Sequence, residues 1–287
     1  MKKKILNKVI SLSLVGAVTL SLASCGKKSE GGSTKKTADG KTVVQVVFPP
    51  NNVPLAYEDE DGNYTGYEVE VLKLVDEALE DYVFEYNTAA QDAAFTGLSS
   101  GKYNLAITNS FYTDERAKNY NIPDNQIGAS PVGIVVANEN ADKVSDLKTA
   151  SEQGVVGAPQ MAGDGLTYQL ELWNKNNPDN QVEFEYTDNP NAFTDSIGFV
   201  AEGRYGFTIY PKTYYEVLVT AEDGSLHEYA DKLTFNLYSP VPTYPIIEKG
   251  NDELTKAVSD ELGKLKEDGT LEKLSEEFYG FNAFTVE

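Results

Sequence analysis

The chain has 287 residues, with 45 Asp and Glu against 24 Lys and Arg, a formal net charge of −21, one His and one Cys. So acidic a chain repels nucleic acid and anionic head groups, which excludes nucleic-acid binding. A lone His227 and a lone Cys25 rule out an internal disulfide and argue against a zinc or copper site. The 40 % apolar share and the 18 Tyr and 12 Phe exclude wholesale disorder, so the acid excess reads as a solvated surface over real cores.

The first element is a leader. Lys2, Lys3, Lys4 and Lys8 precede an uncharged run from Val9 to Ala23. A bilayer-spanning helix needs roughly 20 apolar residues, and this run is shorter. A positive start, a short apolar middle and small residues at the end describe a secretory signal peptide over residues 1–24. Leu22-Ala23-Ser24-Cys25 resembles the lipobox of bacterial lipoproteins, which implies cleavage before Cys25 and lipid on its sulfur. A free thiol beside an ordinary cleavage site would be a liability outside the cell. Residues 25–40 then form the lipidated Cys and a flexible tether without large apolar side chains.

The folded part begins with KTVVQVVF (41–48), whose β-branched density predicts a buried strand. PPNNVP follows as a rigid loop. DEDGNYTGY is a hairpin-like turn without the spaced acids of a calcium loop. Residues 67–81 place Val69, Leu72, Val75, Ala78 and Leu79 on one helical face. A strand is predicted over 82–88, a helix over 92–102 and a strand over 103–109. That β-α-β-α-β order implies a parallel sheet covered by helices. A second unit of the same style has strands over 129–138, 154–159, 181–187 and 204–211, a short helix at VSDLK (144–148), and helices over 164–176 and 191–203. Residues 251–280 predict two helices divided at Asp268-Gly269. Two α/β units point to a cleft, because ligands in such proteins sit between domains and beyond the carboxyl ends of parallel strands.

Thr113 is a good N-cap for the segment after the third strand, and Asp114 and Glu115 suit a first helical turn. Arg116 falls in that turn, with a planar fork of donors suited to a carboxylate. On the residues alone, a salt bridge to Asp114 or Glu115, or a solvated side chain, accounts for it as well. Tyr112, Tyr168, Trp173, Tyr210, Tyr214 and Tyr215 could line a pocket, although most tyrosines at such spacing are core or surface.

The leader, PLAYEDEDGNYTGYEVEVLKLVDEAL, LSSGKYNLAITNSFYTDERA and YPIIEKGNDELTKAVSDELGKLKEDGTLEKLSEEFYG resemble the polar-amino-acid family of extracellular solute-binding proteins, which serve ABC importers. The likeness spans nearly all of residues 41–281; TDER and the closing KEDGTLEKLSEEFYG are its most specific parts. It implies an α/β type II periplasmic-binding fold, with two lobes of parallel-rich mixed sheet joined by two hinge strands. It also implies lobe 1 over 41–127 plus 243–287 and lobe 2 over 128–242.

By the same resemblance Arg116 binds a ligand's α-carboxylate, and Asn109 and Phe111 stand where members often carry small or hydroxyl residues. Phe48 and Asn52 are nearest to the usual aromatic wall after the first strand, and Gln91 falls near a second aromatic position. Gln160, Met161 and Asp164 belong to the turn that offers N–H groups to an anion. Members commonly place an acid for the ligand's ammonium after the segment AEGRYGF. Here Tyr210-Pro211 stands there, so either another acid serves (Asp92, Asp164, Asp188 or Asp195) or the ligand is not a simple α-amino acid. The expected partners are a small carboxylate such as an amino acid, an ABC permease, and the membrane through a lipid anchor on its extracytoplasmic face. No cofactor and no metal are expected, and the protein is expected to be monomeric. A ligand-sensing lipoprotein is the alternative. A dehydratase-like enzyme on small carboxylates fits less well, because one His and no Cys in the fold leave no nucleophile–base set.

Overall fold

The computed structural model describes residues 35–285; the leader and Cys25 lie outside them. Strand β1 (Thr42–Phe48) is buried on both faces, as its Val run demands of an internal parallel strand. It is followed by the small hairpin β2 (Tyr57–Glu58) and β3 (Tyr64–Thr65), then α1 (Tyr67–Ala78). Gly66, at φ 113°, caps α1, and a Cβ there would lie 2.6 Å from the Leu55 carbonyl oxygen. Only glycine permits that approach. The Glu68 N–H then donates to the Leu55 carbonyl at 2.9 Å and locks the first turn of α1 onto the 52–56 loop. Next come β4 (Tyr82–Thr88), α2 (Gln91–Ser99), β5 (Leu105–Phe111) and α3 (Asp114–Asn119). β4 and β5 flank β1 in parallel.

The second unit starts with β6 (Gly128–Ala137), followed by a 3₁₀ turn and α4 (Leu147–Glu152). Helix α4 begins three residues later than VSDLK suggests. Asp146 takes the N-cap and forms a capping box with Thr149, so Val144 and Ser145 precede the helix. Then follow β7 (Val156–Met161), α5 (Gly165–Asn176), β8 (Glu183–Thr187), α6 (Ala192–Ala201), β9 (Thr208–Pro211), α7 (Lys212–Tyr215) and a π-helical turn over Glu216–Thr220. The chain returns through β10 (Leu233–Ile247) and ends in α8 (Asp252–Glu267) and α9 (Thr270–Tyr279). Among the described residues no helix is long and apolar enough to cross a membrane.

A six-stranded sheet runs β4-β1-β5-β10-β6-β9, and β7 pairs with β8 in parallel beside it. β10 joins the two lobes: residues 243–247 pair with β5, and residues 233–243 pair with β6. This is the mixed sheet of a type II periplasmic-binding fold, parallel on the β4-β1-β5 side and antiparallel through β10, β6 and β9. The sequence gives no clear sign of β10, because Pro240, Pro242 and Pro245 interrupt its apolar pattern. Pro240 and Pro242 stand two apart, so their missing donors fall on one edge of a strand that has one partner there. Each lobe has its own core. One joins Val46, Leu72, Leu105 and Ile107 to Leu254, Val258 and Leu271 of the last helices. The other centres on Val132, Ile134, Leu170, Phe207 and Ile209, with Ile197, Val200 and Val219 packed on the opposite face.

Candidate functional site

The carboxyl end of β5 organises the site. Thr113 caps α3, and its hydroxyl accepts the Arg116 N–H at 3.0 Å, so Arg116 is the third residue of that helix. The side chain turns back, and Nη1 donates to the Phe111 carbonyl at 2.7 Å. The guanidinium lies over the Phe95 ring, 5.8 Å from its centroid. Among the described residues no carboxylate comes within salt-bridge distance of it, so the pairing with Asp114 or Glu115 does not form. Burial lowers its pKa, and the negative field of Asp164 opposes that shift.

The other lobe meets Arg116 with the start of α5. A Cβ on Gly165 would lie 2.7 Å from the Phe111 ring and 3.2 Å from Arg116 Nη1, so the helix end can approach only because the residue is glycine. Asp164 is the N-cap and accepts the Leu166 N–H at 2.8 Å. The Met161 carbonyl accepts the Thr167 hydroxyl, while the Met161 side chain is exposed. Gln160 is buried and donates to the Ala158 carbonyl of its own strand.

A second group is an aromatic cluster within the second lobe that reaches the first through one hydroxyl. Tyr210 is fully buried and stacks on Phe193 at 4.1 Å; Tyr214 meets the same ring edge-on at 5.7 Å. The Tyr214 hydroxyl crosses to the first lobe and donates to Asn52 Oδ1 at 3.0 Å. The Tyr210 hydroxyl is buried without a partner among the described residues. Burial pushes the Tyr214 phenol well above its usual range and the nearby Glu68 carboxylate adds to that, while the Asn52 and Asn109 side chains oppose it.

Glu68 is the residue that sequence reasoning missed here. It is completely buried, and both carboxylate oxygens lie 3.2 Å from the Asn109 N–H, which donates to them. Asn109 has φ +50°, an uncommon conformation for a residue with a side chain. Burial pushes the Glu68 carboxyl up to about 8, against the Asn109 hydrogen bond. Of the four acids weighed from the sequence, only Asp164 stands near Arg116. Asp92 and Asp188 are exposed, Asp195 accepts from Asn189, and Asp164 caps α5.

The structure thus brings together Arg116, Phe111 and Asp164 at one point, and Asn52, Asn109 and Tyr214 at another. Phe48 lies in the first lobe's core, edge-on to Tyr64, and Gln91 is exposed at the start of α2; the ring near Arg116 is Phe95. A cavity of about 490 Å³ between α3 and α8, lined by Tyr120, Asn121, Lys249 and Asp252 among others, contains none of the site residues except the neighbouring Tyr112. Among the described residues no cluster of His, Cys, Asp and Glu could hold a metal ion.

The chain is 26 % identical over 249 residues to the L-cystine-binding protein TcyJ of Bacillus subtilis, covering 86 % of this chain and 88 % of that protein. It is 27 % identical over 270 residues to the probable amino-acid-binding protein YxeM of the same organism, covering 93 % of each. A solved chain from work on glutathione import via GshT and the cystine ABC importer TcyBC of Streptococcus mutans superposes with a TM-score of 0.62 at 29 % identity, covering 86 % of this chain and 98 % of that one. The model of the bacterial extracellular solute-binding proteins, family 3, matches residues 44–281, and the chain belongs to that family.

Proposed function

We propose that the protein is the lipid-anchored, extracytoplasmic substrate-binding component of an ABC importer, and that it captures an amino acid or a close derivative between lobe 1 (41–127 plus 243–287) and lobe 2 (128–242). On this reading it is a monomeric carrier without catalytic turnover, tethered through Cys25. The observation that carries it is Arg116. A half-buried guanidinium makes one backbone hydrogen bond and has no carboxylate partner among the described residues, and the amino end of α5 stands against it from the other lobe. A ligand carboxylate would satisfy the remaining donors of the fork and gain from the helix N-terminus. Two relatives are described as binding L-cystine or an amino acid, which supports the ligand class.

The polar groups near the cleft, Asn52, Asn109 and the unpartnered Tyr210 hydroxyl, favour a polar ligand over an aliphatic one. Thermal unfolding of the protein with a panel of amino acids, cystine and small carboxylates tests the reading, with Arg116→Ala in parallel. One ligand should raise the wild-type midpoint by several degrees through mass action and leave the variant's unchanged. No shift with any carboxylate would overturn the assignment.

A further inference from the structure

We propose that Glu68, on lobe 1, is the counter-charge for the ligand's ammonium group. The proposal rests on the amino-acid reading above and names the partner that reading lacks. Three observations carry it.

First, Glu68 is wholly buried yet has no cationic neighbour among the described residues; its one hydrogen-bond donor is the Asn109 N–H. A buried carboxylate needs a proton or a cation, and a carboxylate with two oxygens keeps lone pairs free after one N–H. The groups facing it are the Tyr67 phenol on its own helix, Tyr214 from α7 and Tyr279 from α9. Burial holds all three phenols neutral across the physiological range, so none supplies a positive charge.

Second, only one of those covers belongs to the other lobe. Tyr214 reaches Asn52 across the cleft, and Glu68 lies beside the pair. Separation of the lobes would withdraw Tyr214, the one of these three neighbours that the far lobe contributes.

Third, the spacing fits. Glu68 is anchored on Asn109 and Arg116 on Phe111, two residues apart on β5. Two residues of strand span roughly 7 Å. The carboxylate and ammonium of one α-amino acid, with a hydrogen bond at each end, cover that span. The position after AEGRYGF needs no acid in this chain, because lobe 1 supplies both charges.

The test compares amino acids with the same acids lacking the α-ammonium. L-cystine is paired with dithiodipropionic acid, and L-glutamine with glutaramic acid. Affinities are measured by calorimetry for wild type and Glu68→Gln, in buffers of different ionisation enthalpy. Glutamine keeps an acceptor for the Asn109 N–H, and binding of the desamino acid shows that the variant is folded. Wild type should prefer an amino acid over its desamino analogue by at least about thirtyfold, as expected for a buried charge pair. Glu68→Gln should abolish that preference while leaving the desamino affinity within about twofold. Proton release on binding near neutral pH should vanish in the variant.

A preference that survives in Glu68→Gln, or an equal loss for both ligands, would show that the residue only supports Asn109. Equal wild-type affinity for both members of a pair would overturn this proposal and leave the carboxylate site at Arg116 standing. Failure of wild type to bind either class would instead overturn the amino-acid reading, and this proposal with it.

Discussion

The hydroxyl of Tyr214 donates to Asn52 Oδ1 at 3.0 Å, from a helix of one lobe to the loop after β1 of the other. It is a neutral hydrogen bond between lobes and sits beside the buried Glu68. Tyr214→Phe removes it without changing the ring packed on Phe193. The net loss should be about 1 kcal/mol, or a fall of about 2–4 °C in the ligand-free unfolding midpoint for a chain of this size. Small-angle scattering should show a larger radius of gyration for the ligand-free variant. An unchanged radius and midpoint would mean that the bond does not hold the lobes together.

Gly165 tests the closed contact at Arg116. Gly165→Ala puts a Cβ 2.7 Å from the Phe111 ring, so the first turn of α5 must draw back from the other lobe. Overpacking of this kind costs about 1–3 kcal/mol, which predicts ligand affinity reduced by about tenfold or more. The penalty falls on the closed state, so the open form can relieve it. Titration calorimetry on both proteins checks the affinity, and an unchanged dissociation constant would show that closure does not need this approach.

Arg116→Ala and Arg116→Lys separate geometry from charge. Lysine keeps the charge but cannot reproduce the planar fork held by Phe111. Both variants should lose ligand-induced stabilisation, alanine completely and lysine by most of it. Neither should lower the ligand-free midpoint much, because among the described residues the guanidinium has no ion-pair partner to forfeit, only the Phe111 hydrogen bond and the Phe95 ring. A lysine variant that binds like wild type would mean that a point charge suffices.

Glu68 makes stability depend on pH, and the sign is fixed by its environment. Burial raises the folded-state pKa from the ordinary 4.5 to about 8. The folded protein therefore holds a proton that the unfolded chain has released over that window, and stability falls as pH rises through it. The slope is up to about 1.4 kcal/mol per pH unit from this group alone. Denaturant unfolding at intervals between about pH 5 and pH 8 should show that decline in wild type and a flatter profile in Glu68→Gln. Parallel profiles would mean that Glu68 is charged and compensated in the folded protein.

Cys25 tests the tether. Cys25→Ser should move the protein from the membrane fraction to the medium or the soluble extracytoplasmic fraction, and wild type should incorporate labelled fatty acid. Retention of the variant at the membrane would show that another segment anchors it.

Much of the architecture is local chemistry and is legible along the chain. The Val run of β1, the apolar face of α1 and the helix pair parted at Asp268-Gly269 each carry their own period or breaker, and the structure places them close to the expected bounds. Thr113 likewise caps α3 and sets Arg116 in its first turn, as the residue order implies. The segment after Pro211 was not legible. Its helical turns and β10 form against partners distant in sequence, and three prolines obscure the strand's pattern.

Glu68 shows why part of the site could not be read. In sequence it is one of 45 acids, on a helix whose apolar stripe is carried by its neighbours. Nothing in its spacing marks it as buried. It is buried because Gly66 lets α1 dock on the 52–56 loop, because Asn109 turns its N–H toward it, and because Tyr214 arrives from the far lobe. The sequence by itself determined most of the elements, the family and the acidic surface, since these follow from short-range periodicity and residue type. The tertiary structure alone decided which of many acids and tyrosines meet in the cleft, because burial and pairing depend on contacts between residues far apart in the chain.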